Sequence, residues 1–84
     1  MWRLLLTGPA QKELRKLPPG DQRKVSLALQ AMQADPFSGD IVRLKGQATA
    51  WRRRVGNYRI IYDLHLADRL VVVSGILRRT STTY

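Results

Sequence analysis

Arginine recurs in this chain where a strand would present it. Arg52, Arg53 and Arg54 lie in Trp51-Arg52-Arg53-Arg54-Val55, Arg59 in Tyr58-Arg59-Ile60-Ile61-Tyr62, and Arg78-Arg79 after the apolar run Leu70 to Leu77, with Tyr84 closing the sequence. A guanidinium keeps its charge at any physiological pH, and its planar fork meets two phosphate oxygens at once. Such a group can hold a phosphodiester and stabilise its transition state, but it is no base. Strand alternation puts Arg52 and Arg54 on one face and Trp51, Arg53 and Val55 on the other. In the next run Tyr58, Ile60, Tyr62 and Leu64 form the packing set, which leaves Arg59 beside Arg52 and Arg54. Arg78 and Arg79 point opposite ways, so one of them is expected to reach that face. Like charges facing one another across strands require an anion to neutralise them.

RNA is cut without metal when its own 2′-hydroxyl attacks the neighbouring phosphate, a reaction that asks the protein for a base, charge stabilisation and an acid. A tyrosine held among guanidinium groups, which favour the phenolate, could serve as that base, as Tyr84 would if it reached them; the same ring could instead stack on a nucleobase. His65, the sole histidine, reads as an exposed turn residue, and Trp2 and Trp51 as packing residues. No metal-ligand spacing, Gly-rich phosphate loop or Ser or Cys nucleophile constellation is present, so no cofactor is expected.

The elements that must position these arginines follow from periodicity. Trp2 to Leu6 reads as a buried strand, stopped at Thr7-Gly8-Pro9, where Thr7 can cap a helix and Pro9 fits its first turn. Ala10, Leu14 and Leu17 make one apolar stripe, ended by Pro18-Pro19-Gly20. A second helix starts near Pro19 or at an Asp21 cap, carries Val25, Ala28, Leu29 and Met32 on one stripe, and ends at Asp35-Pro36. Phe37 to Gly46 reads as loop. Three strands follow, Trp51 to Val55, Tyr58 to Leu64 and Leu70 to Leu77, the first two joined by the tight-hairpin signal Gly56-Asn57. The expectation is an α+β domain in the order β-α-α-β-β-β. Its N-terminal strand and helical hairpin pack on one face of a twisted, antiparallel-rich four-stranded sheet, with the other face open.

At 84 residues this is one domain, 1–84. Lys and Arg number 15 against 6 Asp and Glu, a formal charge of +9, which points to a polyanionic partner, nucleic acid first and an acidic protein second. Cysteine is absent, which excludes disulfides and thiolate metal sites and fits a reducing compartment. The opening apolar run is too short for a signal h-region or a membrane span, so a cytoplasmic protein with no membrane partner is expected.

Leu44-Lys45-Gly46, the hairpin Trp51-Arg52-Arg53-Arg54-Val55-Gly56-Asn57-Tyr58-Arg59-Ile60-Ile61-Tyr62, then Arg78-Arg79 and Tyr84 resemble the RelE/ParE superfamily of toxins from toxin–antitoxin pairs. The likeness covers nearly the whole chain. Its most specific part is the Gly-x-Tyr-Arg-x-x-Tyr hairpin. RelE-type members are ribosome-dependent endoribonucleases that cut mRNA, whereas ParE-type members inhibit DNA gyrase without nuclease activity. By this resemblance Arg59, Arg78 and Tyr84 match the family's catalytic positions, and Arg52 and Arg54 stand where RelE-like toxins typically show two lysines. Those two arginines, with Lys45 and Arg79, are expected to bind RNA. The resemblance further implies an acidic antitoxin partner, contact with the ribosome and mRNA, and operator DNA reached only through the antitoxin. The alternatives are a ParE-like gyrase inhibitor and a non-catalytic basic RNA-binding module.

Overall fold

The computed structural model describes residues 1–44 and 50–78. Its elements are β1 (Arg3–Leu6), α1 (Gly8–Arg15), α2 (Pro19–Ala34), β2 (Asp40–Arg43), β3 (Ala50–Val55), β4 (Tyr58–His65) and β5 (Leu70–Arg78). The strands form one sheet in the order β1-β5-β4-β3-β2, parallel only between β1 and β5. The α+β class and the order of the expected elements hold, and a fifth strand joins the sheet. β2 comes from the stretch expected to be loop; it has only four residues, pairs with β3 along one edge, and buries little beyond Ile41.

Local chemistry sets the helix ends. The Thr7 hydroxyl accepts from the Ala10 amide at 3.3 Å, a cap that contributes about 1 kcal/mol. Pro18 and Pro19 separate the two helices, and α2 starts at Pro19 without a side-chain cap. Asp21 does not cap it. Its carboxylate accepts instead from the Tyr58 hydroxyl at 2.7 Å. Asp35 terminates α2, and its side chain receives the Phe37 amide at 3.0 Å.

Both helices contribute to a core on one face of the sheet. Ala10, Val25, Ala28, Leu29 and Met32 pack with Tyr58, Ile60, Tyr62, Leu64, Val71, Val73 and Ile76. Burial alternates residue by residue along β4, so the opposite face carries no such layer among the described residues.

The register contains one irregularity with a large consequence. Tyr62 pairs with Val73 but Ile61 pairs with Gly75, so Ser74 is an extra residue in β5. A β-bulge shifts alternation by one and flips every later side chain. Ile76 thereby enters the core, Leu77 comes to the open face opposite Arg59, and Arg78 lies opposite Tyr58 on the helix side.

Candidate nucleic-acid interface

The open face is built outward from the β3–β4 hairpin. Gly56 takes φ +56, the left-handed conformation that the turn demands and glycine adopts without strain. That turn fixes the pairing in which Arg54 lies directly opposite Arg59, and Arg52 directly opposite Ile61. Directly opposed side chains have Cβ atoms about 5 Å apart, so the Arg54 and Arg59 side chains leave the sheet side by side on one face. On the other side of β3, Asp40 is opposite Arg54 and Val42 opposite Arg52. Apolar neighbours intersperse the charges: Val42 and Leu77 are exposed, and Ile61 is half-buried. Arg54 is exposed, while Arg52 and Arg59 are half-buried, and the Arg52 Nε is buried without a hydrogen-bond partner.

Arg52, Arg54 and Arg59 are therefore brought together as expected, and Arg78 is not on their face. It is exposed at the same end of the sheet but on the helix side, because the extra residue at Ser74 reverses the phase that plain alternation assumes. The sequence carries no mark of that bulge beyond the small pair Ser74-Gly75. Lys45, Arg79 and Tyr84 lie outside the described residues.

Arg53 faces the core side, opposite Ile60, with Ile41 as its other cross-strand neighbour. One of its terminal nitrogens donates to the Ala28 carbonyl at 3.5 Å, and its guanidinium lies against Gly39, where an added Cβ would come within 2.8 Å of Cζ. Arg53 thus ties α2 to the turn before β2, and its type alone did not distinguish it from its neighbours Arg52 and Arg54.

Neither described strand tyrosine is placed to act as a base. Tyr58 donates to Asp21, and that bond, followed by burial and the nearby negative charge, raises its pKa above the ordinary value of 10.0, with the Arg78 charge pulling the other way. Tyr62 donates to the Pro36 carbonyl at 2.9 Å, and burial pushes its pKa up to about 12 against the pull of Arg53. His65 is exposed at the end of β4 remote from the Gly56-Asn57 turn. No helix among the described residues is long and apolar enough to cross a membrane.

Fold and surface together define a small α+β protein with a helical hairpin on one side of a mixed sheet and a guanidinium cluster on the other. No family model matches the sequence. A Methanocaldococcus jannaschii protein named "Putative toxin RelE1" is 32% identical over 71 residues, covering 81% of this chain and 79% of that protein. Among solved structures, the isolated Escherichia coli RelE toxin superposes with a TM-score of 0.85 at 19% identity, over 98% of this chain and 88% of that one. The RelE of the Pyrococcus horikoshii RelE–RelB complex gives 0.83 at 22% identity, over 96% and 98%. The RelBE2 toxin–antitoxin complex of Mycobacterium tuberculosis gives 0.83 at 24% identity, over 93% and 98%. The chain belongs to the RelE/ParE superfamily and is a toxin of the RelE type.

Proposed function

We propose that this toxin is a metal-independent endoribonuclease that cuts mRNA on the ribosome and so arrests translation in the cytoplasm. The observation that carries the reading is the directly opposed pair Arg54 and Arg59 on the sheet face opposite the helices, with Arg52 beside it. Like charges carried on directly opposed positions repel one another until an anion bridges them, and a phosphodiester with two non-bridging oxygens suits their forks. The exposed apolar neighbours Val42 and Leu77 offer contact to bases flanking that phosphate.

In this mechanism the 2′-oxygen attacks phosphorus, the P–O5′ bond breaks, and the products are a 2′,3′-cyclic phosphate and a 5′-hydroxyl end. Arg59, with Arg78 acting from the rim of the same sheet end, stabilises the charge that builds on the phosphoryl oxygens. Arg52 and Arg54, with Lys45 and Arg79, bind and orient the strand. Tyr84 takes the 2′-proton. Arginine does not cycle a proton, so the proton for the departing 5′-oxygen is assigned to the ribosome. The net charge of +9 complements an acidic antitoxin, the kind of partner that the solved RelE–RelB complexes suggest.

Inducing the chain in growing cells while mapping mRNA 5′ ends and scoring DNA damage tests the reading. Codon-phased cuts inside translated frames are expected. DNA breaks with an SOS response and intact mRNA would replace it with gyrase inhibition, and neither outcome would leave a non-catalytic RNA-binding module. Tyr84→Phe is expected to lower cleavage of ribosome-bound mRNA at least a hundredfold; unchanged cleavage removes the base role.

A further inference from the structure

The helical hairpin carries a second concentration of charge, away from the arginine face. Lys12, Arg15, Lys16, Arg23 and Lys24 are all exposed on α1, its C-cap and α2. The acidic residues within the hairpin, Glu13 and Asp21, are not exposed, and each points inward. A Glu13 carboxylate oxygen accepts from the Ile76 amide at 2.9 Å, on the edge of β5 beyond the end of its pairing with β1. Asp21 accepts from Tyr58. Both carboxylates are therefore committed to the sheet, and the outward surface of the hairpin is left cationic.

Helix electrostatics explain only part of this pattern. Lys12 and Arg15 sit in the last turn of α1, where cations complement the macrodipole, but Arg23 and Lys24 lie in the second turn of α2, where they gain nothing from it. Arg15, Lys16, Arg23 and Lys24 flank the Pro18-Pro19 turn, so they gather at the hairpin tip. The Asp21–Tyr58 bond fastens that tip to the same end of the sheet as Arg54, Arg59 and Arg78.

We propose that the tip of the α1–α2 hairpin is a second RNA-binding surface, whose ligand is the phosphate backbone of double-helical RNA. The chemistry of the exposed residues selects this partner. Single-stranded RNA is gripped through aromatic stacking, and the exposed residues of the two helices include no aromatic side chain. A protein interface needs an apolar centre, and a membrane surface an apolar face to insert; Leu27 is the one large exposed apolar side chain on these helices. Cations accompanied by the exposed amide of Gln30 match the phosphates and 2′-hydroxyls by which a duplex is held. The inference deepens the ribosomal reading, since it supplies a contact to structured RNA from the side opposite the cleavage face.

The test uses the full chain and a blunt 18-base-pair RNA duplex in fluorescence anisotropy across a KCl series. Neutralising Arg15, Lys16, Arg23 and Lys24 to Gln is expected to weaken binding at least tenfold and lower the log–log salt slope by about 3.6, near 0.9 for each phosphate that the variant no longer neutralises. Single Lys16→Gln and Lys24→Gln variants, each lowering the slope by about one, serve if the fourfold variant fails to fold. Lys16→Arg with Lys24→Arg should bind as wild type does. An unchanged slope overturns the proposal, as does a loss confined to phosphatidylglycerol vesicles or to an acidic peptide. Arg54→Gln with Arg59→Gln separates the two readings: it should abolish mRNA cleavage while changing the duplex slope by less than one. Duplex binding that tracks the hairpin without any mRNA cleavage would retain this surface and reject the nuclease.

Discussion

Tyr58 and Tyr62 are neighbours in one alternating set, yet their hydroxyls do different work. The Tyr58 hydroxyl is given to a carboxylate, a charge-assisted bond of about 1.5–3 kcal/mol, so Tyr58→Phe should lower unfolding free energy by roughly that amount in urea titrations. Asp21→Asn should cost less, because an amide oxygen still accepts. Tyr62 gives its proton to a backbone carbonyl in the core, and its consequence appears at high pH. A phenol whose folded pKa stands above its unfolded value stabilises the fold fully below pH 10, and that contribution is lost as pH rises from 10 toward about 12. The loss amounts to about 2–3 kcal/mol across that window. Tyr62→Phe is expected to be less stable than wild type at pH 8, by about 1 kcal/mol for the missing bond, and to show a flatter decline between pH 9 and 11.5. Parallel slopes would mean that Tyr62 ionises no differently when folded.

At the level of elements, Ser74 decides more than any apolar residue around it. Removing it would take out the extra residue and leave Ile76 opposite Ile60 and Arg78 opposite Tyr58, so the Ser74 deletion is expected to keep its core and unfold cooperatively in calorimetry, whereas a further residue inserted after Ser74 would turn Ile76 out of the core and weaken that transition. Glu13 holds the same strand from its edge. Glu13→Ala leaves the Ile76 amide without that acceptor and should cost about 1–3 kcal/mol, whereas Glu13→Gln, which keeps an acceptor oxygen, should recover most of it. These features show what was legible in the sequence. The β3–β4 hairpin was plain because Gly56-Asn57 stands between two alternating runs, and the helix limits because Thr7, Pro19 and Pro36 act within a few residues of themselves. The arginine trio followed from the hairpin. Arg78 did not, because a bulge is a property of two paired strands and leaves no local trace beyond the small pair Ser74-Gly75, and β2 was hidden because four residues with an exposed Val42 show no period. Asp21 was misplaced for a related reason: its partner Tyr58 lies 37 residues away.

At the scale of the whole molecule, the chain carries a net charge of +9, and cations lie on both sides of the sheet end that holds the Gly56-Asn57 turn. Such a chain folds against its own repulsion, which salt screens and a bound polyanion relieves. Arg54 is where this conflict is sharpest, since its cross-strand neighbours are Arg59 on one side and Asp40 on the other. Arg54→Gln should therefore raise stability by about 0.2–1 kcal/mol in low salt, with the gain vanishing near 1 M KCl, while growth arrest and mRNA cleavage fall at least tenfold. A heparin fragment should stabilise the wild-type chain more than the variant, because the anion then performs the neutralisation that the substitution has already supplied. Thermal melts of both proteins across a KCl series, with and without the polyanion, measure the stability terms, and mapping of mRNA 5′ ends measures the cleavage. If Arg54→Gln is instead the less stable chain at every salt concentration, Arg54 is held by partners within the molecule, and the open sheet face is not where the phosphate is bound.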